Sequence, residues 1–123
     1  MSRRTLISKD FAFDAAHHFE HKDAAHPFSR LHGHSFAGTV TLEGAPAGES
    51  GMVKDFWEID QEIAKLRDQL DHRLLNEVEG LSHPSLEVIA AWVFDRLDSV
   101  LPGLVCVEIR RPSCGEKASV SRD

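Results

Sequence analysis

Two stretches of alternating apolar and polar residues near the amino terminus predict a pair of β-strands. In residues 6–17 the apolar side of the predicted strand carries Phe11, Phe13, Ala15 and His17. In residues 31–42 it carries His32, His34, Phe36, Gly38, Val40 and Leu42. Because side chains two residues apart share a face of a strand, both strands place histidines at the end of an apolar face.

Helical spacing replaces this alternation in the middle of the chain. One helix is predicted to begin at a capping box, Asp55–Glu58, and to end at Asp71–His72. Its buried stripe is Ile59, Ile63, Leu66 and Leu70. A second helix is predicted to begin near Ser85, directly after Pro84. Its buried stripe is Ile89, Val93 and Leu97.

Alternation returns near the carboxyl terminus. Residues 104–111 predict a strand with Val105, Val107 and Ile109 toward the core and with Arg111 on the same side, at its end. Residues 118–122 are compatible with a last strand, and residues 52–55 with a short extra one. The order β-β-α-α-β-β within a single domain, residues 1–123, predicts an α+β fold in which two helices cover one face of an antiparallel sheet.

Charge and composition narrow the function. The formal net charge is -6 and the isoelectric point is about 5.7, without a lysine or arginine cluster that would bind a phosphate backbone, so nucleic acid is not an expected partner. No apolar run is long enough to span a membrane, and the polar amino terminus is unlike a signal peptide, so a cytoplasmic location is expected. Cys106 and Cys114 do not suggest a disulfide framework.

The histidines are the candidate chemistry. His32 and His34 would point the same way from one strand, and a third ligand is available at the end of the first strand, where His17 lies on the apolar side. Imidazole is a common zinc ligand, and three protein ligands with one open position are typical of catalytic zinc. The alternative is three histidines whose nitrogens are satisfied by ordinary hydrogen bonds.

Five ordered motifs together resemble the 6-pyruvoyltetrahydropterin synthase family, most closely its bacterial 6-carboxytetrahydropterin synthase branch. The motifs are residues 11–17 (FAFDAAH), 30–36 (RLHGHSF), 52–56 (MVKDF), 70–76 (LDHRLLN) and 84–88 (PSLEV). The resemblance implies a T-fold, in which trimers close a barrel and two trimers form a hexamer. It also implies a zinc ion bound by His17, His32 and His34.

The resemblance further implies a reaction. Family members convert 7,8-dihydroneopterin triphosphate by moving protons and losing triphosphate, with zinc as the Lewis acid. An Asp-His pair acts as acid or base, and Asp71–His72 matches it. The alternative for this pair is structural, because a histidine near the end of a helix complements the helix dipole.

Two positions depart from the family pattern. The family cysteine is replaced by Phe28, which cannot exchange a proton; Glu20, Asp23 and His26 are nearby substitutes among which the sequence does not choose. The family glutamate that anchors the pterin corresponds to Arg111, although Glu116 would restore a carboxylate if the loop were realigned.

These departures leave more than one function open. We expect a zinc-binding homologue that acts on or binds a pterin-like small molecule, with little standard synthase activity. The alternatives are a divergent binding protein or enzyme, in which Arg111 holds a carbonyl-rich purine-like or acidic ligand, and a structural oligomer with a vestigial site.

Overall fold

The computed structural model of the chain describes residues 3–19 and 25–123, without the side chain of Phe28. Four strands form one antiparallel sheet in the order β1-β2-β3-β4. The strands are β1 (Leu6–His17), β2 (His32–Glu43), β3 (Leu104–Arg111) and β4 (Glu116–Ser121). Two helices, α1 (Phe56–Leu70) and α2 (Leu86–Asp98), separate β2 from β3 in the chain. The predicted element order is therefore confirmed.

Both helices lie on one face of the sheet, α1 over β1 and α2 over β3 and β4. The core between the layers consists of the residues that alternation and helical spacing pointed inward, such as Phe13, Phe36, Ile63, Val93 and Ile109. Across β1 and β2, Phe13 stacks on Phe36 with ring centroids 5.0 Å apart. Burying aromatic and branched side chains in this layer is the main contribution to the stability of the fold.

The helix starts confirm the expected caps, with one correction. The Asp55 carboxylate accepts a hydrogen bond from the Trp57 N–H, and the Ser85 hydroxyl accepts one from the Val88 N–H. Glu58 does not complete a capping box by bonding back to the N-cap backbone. Its carboxylate instead forms an ion pair with Lys54 at 3.3 Å. α1 thus begins with a single cap rather than a box.

Three details of the predicted strands are wrong. The β2–β3 register shifts between Thr41 and Leu42, so Leu104 rather than Val105 lies opposite Leu42 and becomes fully buried, while Val105 is half-buried. Residues 52–55 form no strand; they are an irregular approach to α1. The last strand begins at Glu116, earlier than expected, because a turn at Pro112–Cys114 returns the chain at once.

β1 and β4 are the two edges of the sheet, which is therefore not closed within one chain. The carboxyl-terminal half of the β1 edge is covered by the segment that ends α1 and follows it. Arg67 Nε donates to the Ala12 carbonyl at 2.7 Å, and further backbone groups of β1 are bonded by residues 71–76. The amino-terminal half of β1 is where another chain could pair with the sheet.

Candidate metal centre and proton-transfer pair

The hairpin register brings the three predicted histidines together. His17 lies directly opposite His32 in the β1–β2 ladder, and His34 lies one face-sharing position further along β2. Their ring centroids are 4.5 Å (His17–His32), 4.9 Å (His17–His34) and 4.9 Å (His32–His34) apart. One potential ligand atom from each ring lies within 4.8 Å of the other two. This spacing is compatible with three nitrogens around one ion.

Backbone carbonyls determine which ring nitrogen carries the proton in two of these imidazoles. His17 Nδ1 is 3.2 Å from the Pro84 carbonyl oxygen, and His32 Nδ1 is 2.7 Å from the Arg30 carbonyl oxygen. A carbonyl only accepts hydrogen bonds, so each Nδ1 carries the proton and each Nε2 keeps its lone pair. Bonding the far nitrogen to a carbonyl is also how proteins orient metal-binding histidines.

Burial favours the neutral, ligand-competent form of the rings. His17 is 0% exposed, and neither its Nε2 nor the buried Nε2 of His34 has a hydrogen-bond partner among the described residues. Burial, aided by the neighbouring positive charges, lowers the pKa of His17 to about 4 and also lowers that of His34. Buried polar atoms without partners are rare, and an absent ion is one of their ordinary explanations. The donor set therefore fits zinc.

The segment after α1 positions His17 from the edge of β1. The Ala16 N–H donates to the Arg73 carbonyl at 3.0 Å. Asn76 then brackets the next residue, because its Oδ1 accepts from the His18 N–H at 3.0 Å while its Nδ2 donates to the His18 carbonyl at 2.9 Å. Together with the Pro84 carbonyl, these contacts hold the end of β1 on both sides of His17. In the sequence, Asn76 is only the last residue of the motif 70–76, and a lone amide in a predicted loop is the one signal of this role.

Asp71 and His72 are brought into contact at the end of α1. His72 Nδ1 lies 3.0 Å from Asp71 Oδ2, whose partner oxygen Oδ1 accepts from the Asp14 N–H at 2.9 Å. That backbone hydrogen bond, followed by the contact with His72 and the charge of Arg67, lowers the pKa of Asp71, so the carboxylate stays charged and acts as an acceptor. In the neutral imidazole, His72 Nδ1 therefore carries the proton and Nε2 keeps a lone pair.

His72 lies directly beyond the last turn of α1 rather than within it. α1 ends at Leu70, Asp71 caps it, and His72 has a left-handed backbone with φ 59°. A left-handed conformation is costly for a residue with a side chain and is found often at functional sites. The His72 N–H bond to the Asp14 carbonyl, at 2.7 Å, holds it there.

An open cleft of about 610 Å³ is bordered by His34, one member of the histidine cluster, and by His72. Asp14, Ser35 and Arg73 also line it. Ser35 donates to Asp14 at 2.6 Å across the strands. A small molecule in this cleft would lie beside His72 and beside His34, while His17 and His32 do not line it.

The structure describes only some of the remaining predicted site residues. Arg111 lies at the core side of β3, as alternation predicted, and its Nη2 is 2.8 Å from Glu116 Oε1. The Phe28 backbone belongs to the short turn Pro27–Ser29, but its side chain lies outside the described part of the chain. Glu20 and Asp23 also lie outside the described residues, whereas the His26 carbonyl accepts from the Ser29 N–H.

Comparison with known proteins identifies the family. The model of the family described as 6-pyruvoyl tetrahydropterin synthase matches residues 6–123, and the chain belongs to this family. It is 40% identical over 110 residues to the 6-carboxy-5,6,7,8-tetrahydropterin synthase of Synechocystis sp., covering 85% of this chain and 84% of that protein. It is 34% identical over 105 residues to the dihydroneopterin monophosphate aldolase of Pyrococcus furiosus, covering 85% and 83%.

Solved structures support the same fold. The 6-pyruvoyl tetrahydropterin synthase of Caenorhabditis elegans superposes with a TM-score of 0.82 at 24% identity, over 98% of this chain and 97% of that one. The Plasmodium vivax enzyme gives 0.73 at 22% identity, over 99% of both chains. The T-fold is thereby confirmed. No helix in the described residues has the length and apolar character needed to cross a membrane.

Asn76→Ala should destabilise the metal-free protein by about 1–3 kcal/mol, because it leaves both backbone groups of His18 without their partners. Urea unfolding at fixed protein concentration measures the free energy of unfolding. The control is Gln61→Ala, on the exposed side of α1, for which a change within about 0.5 kcal/mol is expected. Equal effects of the two substitutions would show that Asn76 does not hold the end of β1.

The metal-free protein should lose stability as the pH falls from 6.5 toward 4. In that window an unfolded His17 binds a proton and the folded one does not, since its pKa is lowered to about 4; stability therefore rises with pH. The contribution is on the order of 3 kcal/mol at roughly 1.4 kcal/mol per pKa unit. Urea unfolding across the window should show a shallower slope for His17→Gln, and an unchanged slope would contradict this origin.

Proposed function

We propose that this chain is a zinc-dependent enzyme that moves protons on a pterin-like small molecule. The observation that carries the proposal is the convergence of the His17, His32 and His34 imidazoles, beside a cleft that His34 borders together with His72. Zinc bound there would supply Lewis-acid stabilisation of negative charge on a ligand oxygen. Family membership and the Synechocystis relative support a pterin as the ligand.

The chain's own residues divide the remaining work. The Asp71 carboxylate keeps the proton on His72 Nδ1, which leaves His72 Nε2 to take a proton from the ligand and return it. The His72 side chain is 80% exposed within one chain. A proton carrier works best where water is excluded, so a second chain that covers the cleft would complete the site.

Assembly into a hexamer, a dimer of trimers, follows from the same proposal. β1 and β4 are edges, and the coverage of β1 by residues 67–76 begins only at Ala12. Pairing the remaining edge of β1 with β4 of another chain would close the sheet into a barrel, as the T-fold implies.

A second candidate is carbon–carbon bond cleavage in the side chain of a phosphorylated dihydropterin. The Pyrococcus furiosus relative is a dihydroneopterin monophosphate aldolase. Phe28 favours a reaction different from that of the standard synthase, because it removes the proton carrier expected at that position. Product analysis separates the two reactions, since the synthase reaction releases inorganic triphosphate, whereas the aldolase reaction releases an aldehyde fragment that keeps its phosphate.

Protein purified without chelator should contain one zinc ion per chain. His32→Ala and His34→Ala should each remove it, because two imidazoles rarely retain zinc against dilution. His83→Ala, which alters an exposed histidine outside the cluster, is the matched control and should retain the metal. Stoichiometric zinc in both cluster variants, measured by elemental analysis, would refute the metal site.

Turnover of 7,8-dihydroneopterin triphosphate by the zinc-loaded protein should be very slow, because losing a positioned acid or base typically costs about 10²–10⁴-fold. Phe28→Cys should raise this turnover, while Phe28→Ala, which opens space without adding a proton carrier, should not. Chromatographic product analysis measures both. Rapid turnover by the unaltered protein would show that another group, such as Glu20, Asp23 or His26, already carries the proton.

A further inference from the structure

Three buried side-chain atoms lack a hydrogen-bond partner among the described residues: His17 Nε2, His34 Nε2 and Arg111 Nε. They belong to one site. Arg111 follows Arg110, which pairs with Ala37 of β2, so its inward side chain lies next to the strand that carries His34. Its positive charge also lowers the pKa of both imidazoles. A site that concentrates its unpartnered polar atoms in this way is arranged for something that is bound there.

The two kinds of unpartnered atom require opposite partners. A neutral imidazole nitrogen offers a lone pair, which a metal cation takes up. A guanidinium has only donors, so Arg111 Nε–H can be satisfied only by an acceptor, and a cation is repelled by it. Zinc bound by the histidines would therefore give His17 Nε2 and His34 Nε2 a partner. Its positive charge would strengthen the need for a negatively charged acceptor at Arg111 Nε–H.

Glu116 balances Arg111 from the solvent side. The hairpin turn at Pro112–Cys114, closed by Gly115 with φ 69°, places Glu116 opposite Arg111 in the β3–β4 ladder. Glu116 Oε1 takes up Nη2 at 2.8 Å; the Glu116 side chain is 52% exposed and that of Arg111 only 16%. The ion pair thus holds the outer part of the guanidinium and leaves the buried Nε–H for another acceptor.

We propose that Arg111 is a specificity-determining residue whose Nε–H binds an anionic oxygen of the ligand that fills the position left open by the three histidines. The inference rests on the proposed metal site and adds the ligand chemistry. A carboxylate or phosphate oxygen would accept from Arg111 and offset the excess positive charge of metal and guanidinium. A neutral hydroxyl or amine would leave that charge uncompensated.

Arg110 provides a matched control on the same strand. Its side chain lies on the opposite face of the sheet, where Nη1 donates to Thr39 Oγ1 at 2.8 Å and lies 3.4 Å from Glu108 Oε1. Removing this arginine changes the net charge of the chain as much as removing Arg111. A difference between the two variants therefore reports position rather than overall charge.

The experiment is titration of cobalt(II)-loaded protein with acetate and, separately, with inorganic phosphate, followed by the visible absorption of cobalt. Arg111→Gln should weaken binding of at least one of these anions by about ten- to a hundredfold, the range expected for a lost charge-assisted hydrogen bond. Arg110→Gln should stay within about twofold of the unaltered protein. The anion whose affinity falls more in Arg111→Gln shows whether the ligand group is a carboxylate or a phosphate.

Glu116→Gln supplies a readout that a merely structural ion pair would not give. It breaks the same pair but removes a negative charge beside the site, so anion binding should tighten by roughly twofold or more. If Arg111 served only to pair with Glu116, the two substitutions would change anion affinity in the same direction. Should Arg111→Gln fail to fold, Arg111→Lys keeps the charge but lacks the Nε donor, and weaker binding is again expected.

Unaltered affinity in the Arg111 variants, anion binding that is equally tight without metal, or no anion binding at all would overturn the inference. These outcomes are distinct from failure of the proposed function. If the unaltered protein takes up no metal, both proposals fall. If it takes up metal and its anion affinity ignores Arg111, the metal site stands and only the role of Arg111 is wrong.

Discussion

The site depends on how the end of β1 is fixed. A strand end at the edge of a sheet would ordinarily fray, yet here the segment after α1 bonds alternate backbone groups of β1 through Asp71, Arg73 and Asn76. Pro84 adds the carbonyl that orients the His17 ring. Hydrogen bonds from this loop to the backbone thus hold the His17 imidazole buried and in a fixed orientation. The same loop carries His72.

This arrangement would couple binding of the proposed metal to folding. Desolvation keeps the fully buried His17 neutral, which is the form that binds a cation. In acid the same burial lowers the stability of the fold, because His17 binds a proton in the unfolded chain but not in the folded one. A bound ion would recover that stability by mass action. Such a centre is expected to be among the first parts of the molecule to respond to pH or to a chelator.

The family supplies a scaffold on which the reaction can change. The two relatives described above share about the same fraction of this chain, yet one is a synthase and the other an aldolase. The residues that support the sheet, the histidine cluster and the Asp71–His72 pair are compatible with either reaction. Phe28 and Arg111, for which we propose roles toward the ligand, are the positions at which a change of reaction or substrate would be made.

Much of the fold and of the metal centre could be predicted from the sequence alone. Alternation gave the bounds of β1 and β3, helical spacing gave the buried stripes, and the parity of His32 and His34 placed both rings on one face, because these patterns depend only on local geometry.

The tertiary structure decided the rest. A register shift in the β2–β3 ladder exchanged Val105 for Leu104 in the core, and contacts between residues distant in the chain brought the Pro84 carbonyl to His17 and Asn76 to His18. The same holds for Arg111, whose parity was predictable but whose unpartnered Nε and ion pair with Glu116 follow from the hairpin turn and the packing around the histidines. Periodicity determines which way a side chain points, whereas the partner it meets there depends on how the strands and loops pack.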